Sequence, residues 1–153
     1  MLLLVIYHAS RPHLGVLAGV PGAPGAYGDI GRHPDYERIP DLLVLPLEAP
    51  LFYANASLVL GRVKRLTGES DSLPRAVVLE VGANSDLDIT SSEILEQLVS
   101  ALRSAGIDFA LADVRHPVRD MLERSGLLAT IGPDRVYHTV DEAVQELSAP
   151  DSA

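Results

Sequence analysis

The apolar run Ala76-Val77-Val78-Leu79-Glu80-Val81 most narrows what this chain can fold into, because of the residues on its C-terminal side. A polar cluster, Asp86-Leu87-Asp88-Ile89-Thr90-Ser91-Ser92, comes next, and then an amphipathic stretch from Ile94 to Leu102. Six apolar-rich residues of this kind suit a strand buried on both faces, and the later spacing suits a helix. Strand, turn and helix together place hydroxyls at a helix N-terminus just beyond a core strand, where α/β proteins often put their chemistry or their switches.

The pattern recurs. Asp41 opens a second apolar run, Leu42-Leu43-Val44-Leu45-Pro46-Leu47, in which Pro46 marks a strand end or an edge position. Asn55 is placed to cap a helix from about Ala56 to Leu66, with Leu58, Val59, Val63 and Leu66 toward the core. The helix after the polar cluster is expected to stop at Gly106. Asp108 to Val114 reads as a strand, Pro117 as the first turn of a helix that stops near Gly126, and Thr139-Val140-Asp141-Glu142 as a capping box opening a last helix through Leu147. From Leu42 the order is strand, helix, strand, helix, strand, helix, helix. That predicts an α/β fold with a mixed central sheet, largely parallel core strands and about four helices. Ahead of it, Leu14 to Val20 reads as a short strand and the glycine- and proline-rich Pro21 to Gly31 as an irregular loop.

Composition removes several functions. The 153 residues suit one domain, and 47% hydrophobic content is enough to bury a core. The absence of cysteine excludes disulfides, thiol nucleophiles and cysteine metal sites. A net charge of −9 disfavours nucleic acid as a partner. The five histidines include no pair with metal-ligand spacing on one helix face, and His116 before Pro117 reads as a loop or capping residue. The run Met1 to Tyr7 is far short of the roughly 20 residues of a spanning helix, so direct membrane insertion by the domain is not expected. It fits a first strand, or the tail of a preceding membrane helix.

The polar cluster admits two chemical readings. Thr90-Ser91-Ser92-Glu93 satisfies a capping box, with Thr90 accepting from the amide of Glu93 while Asp86 and Asp88 complement the helix dipole. Asp86-Leu87-Asp88-Ile89-Thr90 also satisfies the Asp-x-Asp-x-Thr pattern and resembles the nucleophile loop of haloacid dehalogenase phosphatases. That loop follows its strand at once, whereas four residues intervene here. The phosphatase family also needs a lysine downstream, and the chain's single lysine, Lys64, lies upstream.

Several separate segments are similar to one family. Arg11-Pro12-His13-Leu14-Gly15-Val16-Leu17, Val20-Pro21-Gly22, Tyr27, His33-Pro34 and Ile39-Pro40 follow one another in its order. So do Ala49-Pro50-Leu51-Phe52-Tyr53-Ala54-Asn55-Ala56, the Asp86–Ser92 loop, Val114 to Leu122 and Gly126-Leu127. The chain resembles the STAS domain found at the cytoplasmic C-terminus of sulfate permease (SulP-type) anion transporters and named also for bacterial anti-sigma factor antagonists. The Pro-Leu-Phe-Tyr-Ala-Asn-Ala segment leans toward the transporters.

This resemblance implies a regulatory domain rather than an enzyme. Residues 1–13 would be a linker or remnant following a membrane segment, 14–148 a single STAS domain and 149–153 a flexible tail. The domain would sit on the cytoplasmic side of the inner membrane. Its partners would be the membrane domain of the same transporter and other cytosolic proteins. Asp88 falls on the family's aspartate and Thr90 on its phosphoacceptor position, with Ser91 and Ser92 as neighbouring acceptor candidates. Ile89 replaces a small hydroxyl residue, and Ser91 replaces a residue that is often glycine. No cofactor is required; some members of the family are associated with a guanine or adenine nucleotide, which here would lie among Asn55, Asp88, Ile89, Thr90 and Ser91. A free-standing antagonist-like phosphoswitch is the alternative function, and a phosphatase using Asp86 and Asp88 the third.

Overall fold

The computed structural model describes residues 16–30, 32–47, 61, 63–66, 68, 73–82 and 89–149, with residues 89–91 described by their backbone alone. Three short strands come first: β1 (Leu17–Gly19), β2 (Tyr27–Asp29) and β3 (Glu37–Arg38). The core alternates β4 (Leu42–Pro46), β5 (Ala76–Glu80), α1 (Ile89–Ser104), β6 (Asp108–Ala112), α2 (His116–Ser125), α3 (Leu127–Ile131), a 3-10 turn (Pro133–Arg135) and α4 (Val140–Ser148). Residues 63–66 are helical between β4 and β5.

Both kinds of strand pairing occur, as expected, but in two separate sheets. β4, β5 and β6 form a parallel sheet with β5 central, in register from Leu42, Ala76 and Asp108 to Pro46, Glu80 and Ala112. Pro46 ends an edge strand, where its missing N–H costs no ladder bond. β1 pairs antiparallel with β2 on one side and β3 on the other.

The tract from Pro21 to Gly31 is therefore not wholly irregular, because it contains β2. Two consecutive turns reverse the chain, with Ala23 N–H donating to Val20 O at 3.2 Å and Ala26 N–H to Ala23 O at 3.1 Å. Gly22 and Gly25 sit at φ 75° and 83°, the left-handed region that a side chain resists. The glycines and prolines build the turn of a hairpin whose arms are too short to show a period.

Alternation along the parallel strands separates two cores. Leu43, Leu45, Val77, Leu79, Phe109 and Leu111 face one cluster, which α1, α2 and α3 cover with Leu95, Leu98, Val99, Leu102, Leu122 and Ile131. The α1 positions follow the i, i+3, i+4, i+7 spacing of one helix face. Leu42, Val44, Ala76, Val78, Ala110 and Ala112 face the other cluster, with Tyr137, Val144 and Leu147. Leu17 and Tyr27 from the antiparallel ribbon pack on this second face. Of the proposed first-helix residues, Val63 is fully buried and Leu66 packs on the core, while Leu58 and Val59 lie outside the described residues.

The helix ends follow their punctuation. After α1, Gly106 N–H donates to Arg103 O and Ile107 N–H to Leu102 O, the paired bonds of a Schellman motif, with Gly106 at φ 78°. Pro117 lies in the first turn of α2 and Gly126 closes that helix. The chain continues straight into α3, a short helix that the sequence pattern does not separate from α2. Gly126 ends one helix and starts the next, leaving no polar cap to signal the start. The Arg103 guanidinium, from the last turn of α1, donates to the carbonyls of Thr130 and Ile131 at the end of α3. His116 lies within the first turn of α2, not in a loop or at the cap, and its Nδ1 is 3.2 Å from Asp120 Oδ1.

Candidate functional site

Four residues of the polar cluster, Ile89 to Ser92, lie at the start of α1. Helix α1 begins at Ile89, so Thr90 and Ser91 lie inside its first turn. This corrects the capping assignment: Thr90 does not precede the helix but lies within it. Asp86, Asp88 and Asn55 lie outside the described residues. Ser92 is buried, at 7% exposure. With Met121, Arg124 and Ser125 it lines a groove of about 580 Å³ between α1 and α2. First-turn amides have no partners within their own helix and favour an anion, while Glu93 and Glu96 beside them add negative charge.

A second site lies at the carboxyl ends of the parallel strands, the position where open α/β sheets place their ligands. Pro46 ends β4, Glu80 ends β5 and Asp113 follows β6. With Tyr27 and Asp29 of β2 and Tyr36 they line a cleft of about 760 Å³. Thr139 and Val140, at the start of α4, form another wall. Thr139 Oγ1 accepts from Glu142 N–H at 3.1 Å, and the Glu142 carboxylate accepts from His138 N–H at 3.0 Å. The expected box is present, with its return bond reaching one residue further back.

Two glycines admit the groups around this cleft. The Tyr36 ring lies over Gly28, where a Cβ would come within 2.5 Å of it, and the same ring stacks on His33 with centroids 4.5 Å apart. Gly82 is held between two carboxylates. Its N–H donates to Glu80 Oε1 at 2.8 Å, and a Cβ there would lie 1.8 Å from Asp113 Oδ2. Asp113 itself adopts φ 55°, a conformation that aspartate tolerates better than most residues. On the opposite side, Arg32 Nε is 3.9 Å from Asp29 Oδ2.

At the rim, the Tyr27 phenol donates to Asp141 Oδ1 at 2.8 Å. Burial, reinforced by that carboxylate, pushes the Tyr27 pKa up to about 12. An unfolded tyrosine titrates near 10, so the native state holds this proton more tightly. The associated stability is fully present below about pH 10 and is lost as pH rises toward about 12. Urea unfolding is expected to show the wild type weakening across that window. Tyr27→Phe should weaken less there and lack one late step in tyrosinate absorbance.

Sequence pattern does not single out Tyr36, Gly82 or Asp113 as site residues, and Tyr27 enters there only through the family resemblance. The available signal was positional: Gly82 and Asp113 each come just after an apolar strand run. Among the described residues no group of three His, Cys, Asp or Glu side chains could hold a metal. No helix among them is long and apolar enough to cross a membrane.

The strand order, the parallel register, three helices on one face of the sheet and α4 on the other define an α/β domain with a cleft at its strand ends. Residues 33–143 match the STAS domain family, and the chain belongs to that family. It is 34% identical over 144 residues to a probable sulfate transporter of Mycobacterium tuberculosis, covering 94% of this chain and 26% of the relative. It is 30% identical over 152 residues to sulfate transporter 1.3 of Arabidopsis thaliana, covering 94% of this chain and 23% of that protein. The chain thus spans about a quarter of the length of these relatives. Its fold is shared with the murine solute carrier 26 family member A9 anion transporter in the inward-facing state, at TM-score 0.85 and 20% identity over 97% of this chain and 24% of that one. A SulP transporter STAS domain from Vibrio cholerae matches at TM-score 0.62 and 23% identity, over 79% of this chain and 94% of that one.

Proposed function

We propose that this STAS domain is the regulatory part of a sulfate-type anion transporter. It sits on the cytoplasmic side of the membrane and tunes transport through contacts with the membrane domain of the same protein and with other cytosolic proteins. One observation carries the reading: identity to a sulfate transporter relative extends over 94% of the chain, not over one motif. Transport itself would belong to the membrane domain.

The test is sulfate uptake in cells lacking their own transporter, with the gene expressed whole and with residues 14–148 deleted. Deletion is expected to change the uptake rate while membrane insertion is unchanged. Equal uptake, or a gene that encodes no membrane-spanning sequence ahead of this domain, would overturn the assignment.

A phosphoswitch is the second reading, favoured by the position of Thr90 and Ser91 in the first turn of a sixteen-residue helix. Helix amides would stabilise a phosphate there, while neighbouring carboxylates would oppose it. Incubation with the cognate kinase and mass spectrometry of Thr90, Ser91 and Ser92 separates the two readings. A guanine or adenine nucleotide at the same helix start would be a further input. Titration of a 15N-labelled sample without shifts around Ser92 would dismiss it.

A further inference from the structure

Resting on the transporter reading, we infer that the cleft at the strand ends docks an arginine-bearing cytosolic loop of the transporter's membrane domain. Three features of the cleft point to that occupant. Its volume, about 760 Å³, is of the size that takes a ligand or a few side chains. Its wall combines carboxylates, Asp29, Glu80 and Asp113, with the ring of Tyr27, while the Tyr36 ring is already stacked on His33. A guanidinium satisfies both, because it pairs with a carboxylate through its fork and stacks on an aromatic face.

The carboxylates are not equivalent. Asp29 has Arg32 beside it, and Glu80 accepts the Gly82 amide. Asp113 is half-buried and has neither hydrogen bond nor ion pair among the described residues. It is the carboxylate with most to gain from an incoming cation. An anionic occupant is disfavoured by these three carboxylates, which outnumber Arg32, the one arginine in the cleft wall. Membrane proteins in turn carry their excess lysine and arginine in cytoplasmic loops. An acidic cleft on a domain of net charge −9 is complementary to such a loop.

The test is a titration of the 15N-labelled 153-residue chain with synthetic peptides covering each cytosolic loop of the membrane domain. Each arginine-bearing peptide is repeated with arginine replaced by glutamine. One peptide is expected to shift the amides of Gly28, Gly82 and Asp113. Its affinity should fall about tenfold or more in Asp113→Asn, and comparably for the glutamine peptide, because one partner of a buried charged pair has been removed. A melting curve of Asp113→Asn distinguishes lost binding from lost folding, and the glutamine peptide probes the same contact without touching the domain. Absence of shifts from every peptide, or shifts confined to other surfaces, overturns the inference. So does an equal response of the same amides to spermidine or Mg²⁺ alone. If the uptake assay shows regulation while no loop binds the cleft, the docking site is wrong and the transporter reading stands. If uptake is indifferent to the domain, the reading itself falls.

Discussion

Gly82→Ala is expected to destabilise the domain by about 2–4 kcal/mol, the range in which a buried clash combined with a lost buried hydrogen bond falls. The added methyl would meet Asp113 Oδ2 at 1.8 Å and Glu80 Oε1 at 2.6 Å, distances no carbon and oxygen adopt. Either carboxylate can swing aside. Displacing Glu80, however, removes the acceptor of the buried Gly82 N–H. Urea unfolding followed by circular dichroism measures the loss. Pairing the change with Asp113→Ala removes the closer clash and is expected to return part of the stability, a coupling read by a double-mutant cycle. A loss below about 0.5 kcal/mol in the single variant, the size of an ordinary surface substitution, would mean that the two side chains do not form a fixed cradle.

Phe109→Ala is expected to cost about 3–5 kcal/mol, as large aromatic truncations in cores do. Phe109 is fully buried on β6, within the cluster that α1, α2 and α3 cover. Domains of this size are stable by only about 5–15 kcal/mol, so the variant should melt far below the wild type. Phe109→Leu, which keeps most of the volume, should lose less than about 1.5 kcal/mol. Leu73→Ala supplies the contrast: Leu73 is 59% exposed, and its truncation should stay within about 0.5 kcal/mol. Equal losses for Phe109→Ala and Leu73→Ala would contradict this placement of the core.

The parallel strands were legible because burial on both faces leaves an unbroken apolar run, as in Ala76 to Leu79. Helix limits were legible where one residue has one physical role: Gly106 in the left-handed region, Pro117 in a first turn, Thr139 accepting from Glu142. The features that stayed hidden have equally physical causes. β2 and β3 have three and two residues, too few to display a period of two. α3 joins α2 through a single glycine. The start of α1 was located to within two residues, which moved Thr90 from the cap into the first turn. The strand-end cleft was not legible, because it gathers side chains from β2, the 32–36 turn, β5, the end of β6 and the start of α4. No local pattern announces that those segments meet.

The brevity of the outer strands has a consequence for how this domain behaves beside other copies of itself. Unpaired strand edges can template growth of a sheet from one chain to the next. β2 and β3, the outer members of the antiparallel ribbon, offer rows of three and two residues, too short to seed such growth. The free side of β6 is occupied by its own chain, since Tyr137 N–H donates to Leu111 O at 2.9 Å and Val136 bridges Leu111 in parallel. β4 closes with Pro46, which has no N–H to offer. Between the described strands, the fold leaves little edge on which an intermolecular sheet could nucleate. Crowding many copies along a surface would thus carry little risk of their zipping together strand to strand.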